Sequence, residues 1–185
     1  EAPKNLKYEA LLQVLNKKVP AIITANTVVD IMGALRLAEE FKFNLILDGA
    51  AEAYLVIDQI KAAKIPVILH AQMARTKNAS FETAKLLSDN DILFAIQGGY
   101  ESYVPKTRVV LFEAAIAVAN GLDYEEGLAT ITTNPAKILN ISDKVGSIEK
   151  GKDADIVIFD GDPFEYTTHV CQVLVNGAII KSECK

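Results

Sequence analysis

Imidazole, carboxylate, amide and guanidinium groups gather where short apolar runs of this sequence end, and these are the groups with the means to do chemistry. His70 closes the run ILH, and Gln72, Met73 and Arg75 follow it. An imidazole in that place can bind a ligand anion or stand in for a metal ligand. The plainer alternative is a polar strand-end residue hydrogen-bonded to its own loop. Gln97, Tyr100, Glu101, Tyr103, Lys106 and Arg108 crowd the segment after FAI. Such a set can recognise a small ligand, with Arg108 or Lys106 meeting a carboxylate. It can equally be a solvated loop in which Arg108 opens the next helix. Loops at strand ends are where sites are commonly built, which keeps both readings open. Asp48 and Glu52 bracket a helix start, where acids suit the macrodipole, so capping explains them before acid–base work does. His169 falls in the β-rich tail and is expected at the surface.

The other cues are mostly exclusions. The chain has 185 residues, 50% of them hydrophobic, and a formal net charge of -5. That length suits one domain with ample core. The acidic balance lacks the basic face that nucleic acid requires. No run approaches the roughly 18 apolar residues that cross a bilayer. Neither a nucleic-acid nor a membrane partner is therefore expected, and the compartment is left open. Cys171 and Cys184 form no CxxC pair and suggest neither a disulfide framework nor a thiolate metal site. Their pairing with each other stays open. The sequence begins at Glu1 with no charged-then-apolar leader, and is expected to be part of a longer chain.

Regular elements must position these groups. Leu6, Ala10, Leu11, Val14 and Leu15 recur at helical spacing over 6–18. A short apolar run at 20–24 reads as a buried strand. Residues 27–41 place Val28, Ile31, Met32, Leu35 and Ala38 on one stripe, with Asp30, Arg36, Glu39 and Glu40 opposite. The cycle repeats as strand 43–47, helix 50–63 with Tyr54, Ile57 and Ile60 inward, strand 65–69, helix 80–88, strand 92–96 and helix 108–120. Phe41, Phe43, Phe94 and Phe112 are expected in the core. Apolar strands alternating with amphipathic helices predict a parallel sheet covered by helices. The unit recurs every ~25 residues, close to the ~30 of a (β/α)8 barrel. Four such strands fit half a barrel with two raw edges, or an open doubly wound sheet.

Beyond Gly121 the pattern changes. Asp123 and Glu126 read as a capping box, and Asn134-Pro135 as a cap followed by proline at the first helical position. Gly146 and Gly151 mark turns before the apolar strand 155–159. Asn176-Gly177 between 170–175 and 178–181 is a hairpin signal.

Residues 134–160, NPAKILNISDKVGSIEKGKDADIVIFD, followed by GDPF and VLVNGAII, closely resemble the end of the amidohydrolase superfamily, especially its imidazolonepropionase-like branch. There a helix carrying NPA leads into a G-S-[IL]-x-x-G-K-x-A-D turn and a small β-sandwich. The resemblance implies an α/β fold: the C-terminal half of a (β/α)8 TIM-type barrel over 1–140, then a β segment of a composite sandwich over 141–185. It also implies a family activity, metal-dependent hydrolysis of C–N bonds in cyclic amides or dipeptide-like substrates.

In that family an upstream HxH pair, a His on each of the fifth and sixth strands and an Asp on the eighth hold zinc or a similar ion. The metal acidifies a bound water, and the Asp acts as general base. Counted strand by strand, the three downstream positions fall at Thr24, Gly49 and Gly99. Threonine is a poor zinc ligand and glycine offers no side chain. Asn26, Asp48 and Glu101 lie nearby, but Asp48 points to the opposite side of the strand from Gly49.

The leading expectation is a family member degenerate at its metal site, with neither metal nor catalytic residue in this chain. It would bind a small amide-like ligand through His70, Gln72, Gln97, Tyr100, Glu101 and Arg108, or serve as a partner subunit. One alternative is a piece of an active enzyme whose ligands lie upstream, completed by His70 or Asn26. The other is a non-catalytic half-barrel that assembles with copies of itself or with the missing N-terminal half.

Overall fold

In a computed structural model, residues 5–70, 78–101, 104–105 and 109–184 are described. The four expected βα units are present in order. Helix α1 (Leu6–Leu15) precedes β1 (Ala21–Ala25), α2 (Val28–Phe41), β2 (Leu45–Gly49), α3 (Ile57–Ala63), β3 (Val67–Leu69), α4 (Thr83–Asp89) and β4 (Phe94–Ile96). The strands form one parallel sheet in sequential order, β1-β2-β3-β4. Short strands β5 (Tyr100–Glu101) and β6 (Val104–Pro105) make a separate antiparallel pair. Helices α5 (Val110–Ala119), α6 (Tyr124–Ala129) and α7 (Thr133–Ile138) lead to a second sheet. It is antiparallel, with β7 (Ile156–Phe159), β8 (Val170–Val175) and β9 (Ala178–Ser182).

Each return from helix to strand uses one device. Lys17, Lys42, Lys64 and Asp91, just beyond α1 to α4, all have positive φ between 53° and 57°. A left-handed residue ends a helix by turning its last carbonyls onto following amides. Glycine is the usual choice, so this punctuation carries no compositional signal. At the other ends, the Thr27 hydroxyl accepts from Asp30 N–H to cap α2, and the Asp123 carboxylate accepts from the N–H groups of Glu125 and Glu126. Only half of the expected capping box is seen, because the Glu126 carboxylate instead takes the Ser88 hydroxyl from α4.

Two faces of the sheet are covered unequally. Ala25, Leu45, Leu47, Val67, Leu69, Phe94 and Ile96 point into the main core, which α2, α3 and α4 close with Ile31, Ala34, Ile60, Ala84 and Leu87. The opposite face holds a small cluster of Ile46, Ala95 and Ile138, with Ile68 against it. Alternation along each strand therefore assigns Asp48 to the face of Ile46, not to the helix-covered face of Leu47.

The sequence reading needs four corrections. Helix 50–63 begins as a 3-10 turn, Ala53–Leu55, because Ala50 (φ 56°) and Val56 (φ -135°, ψ 32°) leave helical geometry while the chain rolls over the end of β2. Phe41 and Phe112 are exposed: Phe41 ends α2, and Phe112 lies against the Tyr166 ring instead of under the sheet. Asn134 does not cap α7; it lies within the first turn, and its amide donates to the Phe94 carbonyl of β4 at 3.0 Å. Nor are both sheet edges raw. Ile96 N–H donates to the Thr130 carbonyl at 3.0 Å, so the α6–α7 connection serves the outward groups of β4 at both Phe94 and Ile96. Asn134→Ala is expected to lower stability by about 1–2 kcal/mol by stranding the Phe94 carbonyl. Chemical denaturation monitored by circular dichroism measures it.

In the second sheet, Asn176 (φ 50°) and Gly177 (φ 78°) form the expected two-residue hairpin turn. Cys171 and Cys184 are joined as a disulfide.

Candidate functional site

Parallel strands deliver the residues just past their C-terminal ends to one rim, and there the polar groups meet. Register pairs Thr24 with Asp48 and Leu69 with Ile96. By alternation Thr24, Asp48, His70 and Gln97 all project from the sheet face that carries Ile46, Ile68 and Ala95.

Asp48 is the hub. The Thr24 hydroxyl donates to its Oδ2 at 2.6 Å, and the Gln97 amide donates to its Oδ1 at 2.8 Å. Three strands are thus tied through one carboxylate. His70 is placed by its backbone N–H on the Gly49 carbonyl at 2.7 Å, and Gln97 by its N–H on the Leu69 carbonyl at 3.3 Å.

Burial pushes the His70 imidazole below its ordinary value, and the Asp48 charge only partly opposes this. The ring is therefore neutral at neutral pH, with one donor and one acceptor. Because its folded pKa is depressed, His70 contributes stability above the unfolded pKa, and that contribution is lost as pH falls through the folded one. A proton NMR titration should find its midpoint below the ordinary imidazole value of about 6.5. A midpoint above that value would mean that Asp48 dominates.

Asn26 and Glu52 stand behind this rim. Glu52 accepts from Val28 N–H at the start of α2 (2.8 Å) and from the Asn78 amide (2.7 Å). The expected capping role thus acts on α2 rather than on the helix after β2. The Asn26 side-chain oxygen is buried with no hydrogen-bond partner, and it lies against Gly49. A Cβ on Gly49 would come within 2.5 Å of that oxygen, and Gly49 has φ 86°. Only a glycine admits both the turn and the amide beside it.

Of the residues singled out from the sequence, His70 and Gln97 come together with Thr24 at the rim. Tyr100 and Glu101 contribute backbone to β5. Gln72 and Arg108 lie outside the described residues, as do Met73, Arg75, Tyr103 and Lys106. Asp48, read as a cap, is the residue that sequence reasoning misplaced. Gly49 does not share the Thr24 face; Asp48 does, being its register partner. Gly99 (φ 73°) follows two residues after Gln97, where the chain has already left the strand. The signal that would have found Asp48 was parity: it is two residues from Ile46, and Thr24 is two from Ile22.

The rim fits zinc poorly. Of the described rim side chains, the Asp48 carboxylate and the His70 imidazole are ligands that zinc favours, one short of the three that protein zinc sites ordinarily supply. Thr24 and Gln97 offer weak neutral donors. Among the described residues, the three acid, imidazole or thiol groups close enough to share an ion are Asp160, Cys171 and Cys184, in the other sheet.

A family model described as "Amidohydrolase family" matches residues 98–184. Amidohydrolase tasK of Hapsidospora irregularis is 30% identical over 95% of this chain, which corresponds to 19% of that protein. Imidazolonepropionase of Thermoplasma volcanium is 37% identical over 41% of the chain and 20% of its own length. Among solved structures, an amidohydrolase from Thermotoga maritima MSB8 superposes with a TM-score of 0.88 and 34% identity. The match covers 99% of this chain and 49% of that one. The chain thus spans about half of this solved relative and a much smaller share of the curated ones.

Proposed function

Since the chain belongs to the amidohydrolase superfamily, in its imidazolonepropionase-like branch, we propose that its strand-end rim binds a small amide-like ligand and supplies no zinc centre of its own. The observation that carries this reading is the Thr24–Asp48–Gln97 network. It stands on the sheet face and at the strand ends where the family resemblance would put metal ligands.

The donor and acceptor inventory suits an amide. Asp48 keeps unused lone pairs and the Gln97 side-chain oxygen can accept, so either can receive a ligand N–H. Neutral His70 can donate to the adjacent ligand carbonyl. A second, unfilled acceptor is the buried Asn26 oxygen behind Gly49. In this reading the Thr24 hydroxyl positions Asp48, donating its hydrogen bond to Oδ2, and does not serve as a nucleophile.

Hydrolysis by a longer parent is the competing reading, in which upstream ligands join Asp48 and His70 around an ion. Their shared face favours it. Titration calorimetry of the purified chain with a five-membered cyclic amide separates the two. Binding that is indifferent to added zinc or to a chelator, with no ring opening by NMR, is expected. Stoichiometric zinc uptake lost on changing Asp48 or His70, accompanied by ring opening, would overturn the proposal.

The partner follows from what is left uncovered. Leu6, Leu11, Leu12 and Leu15 of α1 and Ile22 of the edge strand β1 are exposed, whereas β4 has its outward groups served by Thr130 and Asn134. In this reading the remainder of the barrel, or a second copy, docks on the α1 and β1 side.

A further inference from the structure

We infer that the end of the C-terminal sheet is a second, redox-gated metal site, in which Cys171, Cys184 and Asp160 hold a borderline-soft divalent cation such as zinc once the disulfide is reduced. This site is independent of the rim described above and survives if the amide-binding reading fails.

The geometry begins with the backbone. Asp160 directly follows β7, Cys171 lies in β8, and Cys184 lies two residues beyond β9, so three successive strands bring one potential ligand each to the same end. The carboxylate oxygen and the two sulfurs lie within 4.8 Å of one another. A tetrahedral zinc with sulfur at about 2.3 Å and oxygen at about 2.0 Å needs ligand atoms roughly 3.3–3.8 Å apart. Small side-chain rotations therefore suffice once the S–S bond opens. Cys171 is half-buried while Asp160 and Cys184 are exposed, which leaves a path for the ion and a fourth position for water.

Asp160 is also held in place as metal-binding carboxylates are. Its Oδ1 accepts the His169 backbone N–H at 2.7 Å, and its Oδ2 lies 3.2 Å from His169 Nδ1. With the proton on Nδ1, the imidazole donates to the carboxylate and orients it, the outer partner that such ligands commonly have. The pairing of soft thiolates with one carboxylate selects zinc over magnesium or calcium.

The gating step balances simply. A dithiol reductant gives up two electrons and two protons and becomes a disulfide; the Cys171–Cys184 bond takes them and becomes two thiols. Zinc then displaces the two thiol protons. A disulfide oxidant reverses this: it takes two electrons from the thiolates and two protons from solvent to become two thiols. The re-formed Cys171–Cys184 bond expels the ion, since a disulfide sulfur is a poor ligand.

The test uses the whole chain and cobalt(II) as the optical probe. A phosphine removes the disulfide without itself offering a thiol; phosphorus takes oxygen from water and becomes a phosphine oxide, and the two sulfurs take the hydrogens. One cobalt per reduced chain, with thiolate-to-cobalt charge-transfer absorption in the near ultraviolet, is expected, and none for the oxidised chain. Asp160→Asn should weaken cobalt binding by about 10–100-fold or more, and Cys171→Ser should abolish the charge-transfer band. Should Cys171→Ser fail to fold, bound cobalt must instead shield both thiols of the reduced wild-type chain from alkylation. A reduced wild-type chain without the band, unshielded thiols, or an Asp160→Asn chain that binds as tightly as wild type would each overturn the inference.

Discussion

Gly146→Ala is expected to destabilise the chain by about 2–4 kcal/mol, adding left-handed backbone strain to overpacking. Gly146 has φ 99°, and a Cβ built there would lie 2.7 Å from the Ala136 Cβ and 3.0 Å from the Thr132 carbonyl oxygen. Neither neighbour is the far end of a flexible side chain, so relief requires α7 to shift. Its neighbour Asn134 holds the Phe94 carbonyl of β4, so the strain would reach the parallel sheet. This gives the family-like motif a physical meaning: the alanine of NPA and the glycine of GSI are two sides of one contact.

Gly151→Ala is the matched control. It too has positive φ, 97°, but nothing lies within 4 Å of a Cβ there, so only the backbone term of about 1–2 kcal/mol applies. Urea titration should shift the Gly146→Ala midpoint well beyond that of Gly151→Ala, with slopes unchanged. Equal shifts would show that contact with α7 adds nothing.

The other large effect is expected at Asp48. Asp48→Ala removes the acceptor of both the Thr24 hydroxyl and the Gln97 amide, and with them the alignment of three strand ends. Under the proposed function, cyclic-amide affinity should fall at least tenfold, about 1.4 kcal/mol. Calorimetry reads that loss. The same change has a sign that can be checked without any ligand. Asp48 is the group that pulls the His70 pKa upward against burial. Its removal therefore lowers the His70 midpoint further, so the stability lost on acidification below the unfolded imidazole pKa becomes larger and its loss continues to lower pH. Asp48→Asn should reproduce the His70 shift while retaining a hydrogen-bonding group between Thr24 and Gln97, and so lose less affinity than the alanine. Unchanged binding in Asp48→Ala would remove Asp48 from the ligand site, whatever happened to His70.

Much of this molecule is legible from residue order because the signals are local. Short continuous apolar runs and 3.6-residue periodicity place the βα units, Asn176-Gly177 places the hairpin, and the run from Asn134 to Asp160 carries the family resemblance. Each rests on dihedral preference or burial within a few neighbouring residues. The rim is different. Which of Asp48 and Gly49 looks out beside Thr24 depends on the stagger between β1 and β2, and side chains alternate with a period of two, so a one-residue offset exchanges the faces. The same holds for Asn134, whose partner carbonyl lies 40 residues earlier in the chain, and for Asp160, Cys171 and Cys184, drawn to one end only when three strands pair. Long-range register, set by packing of the whole sheet, assigned these residues their roles.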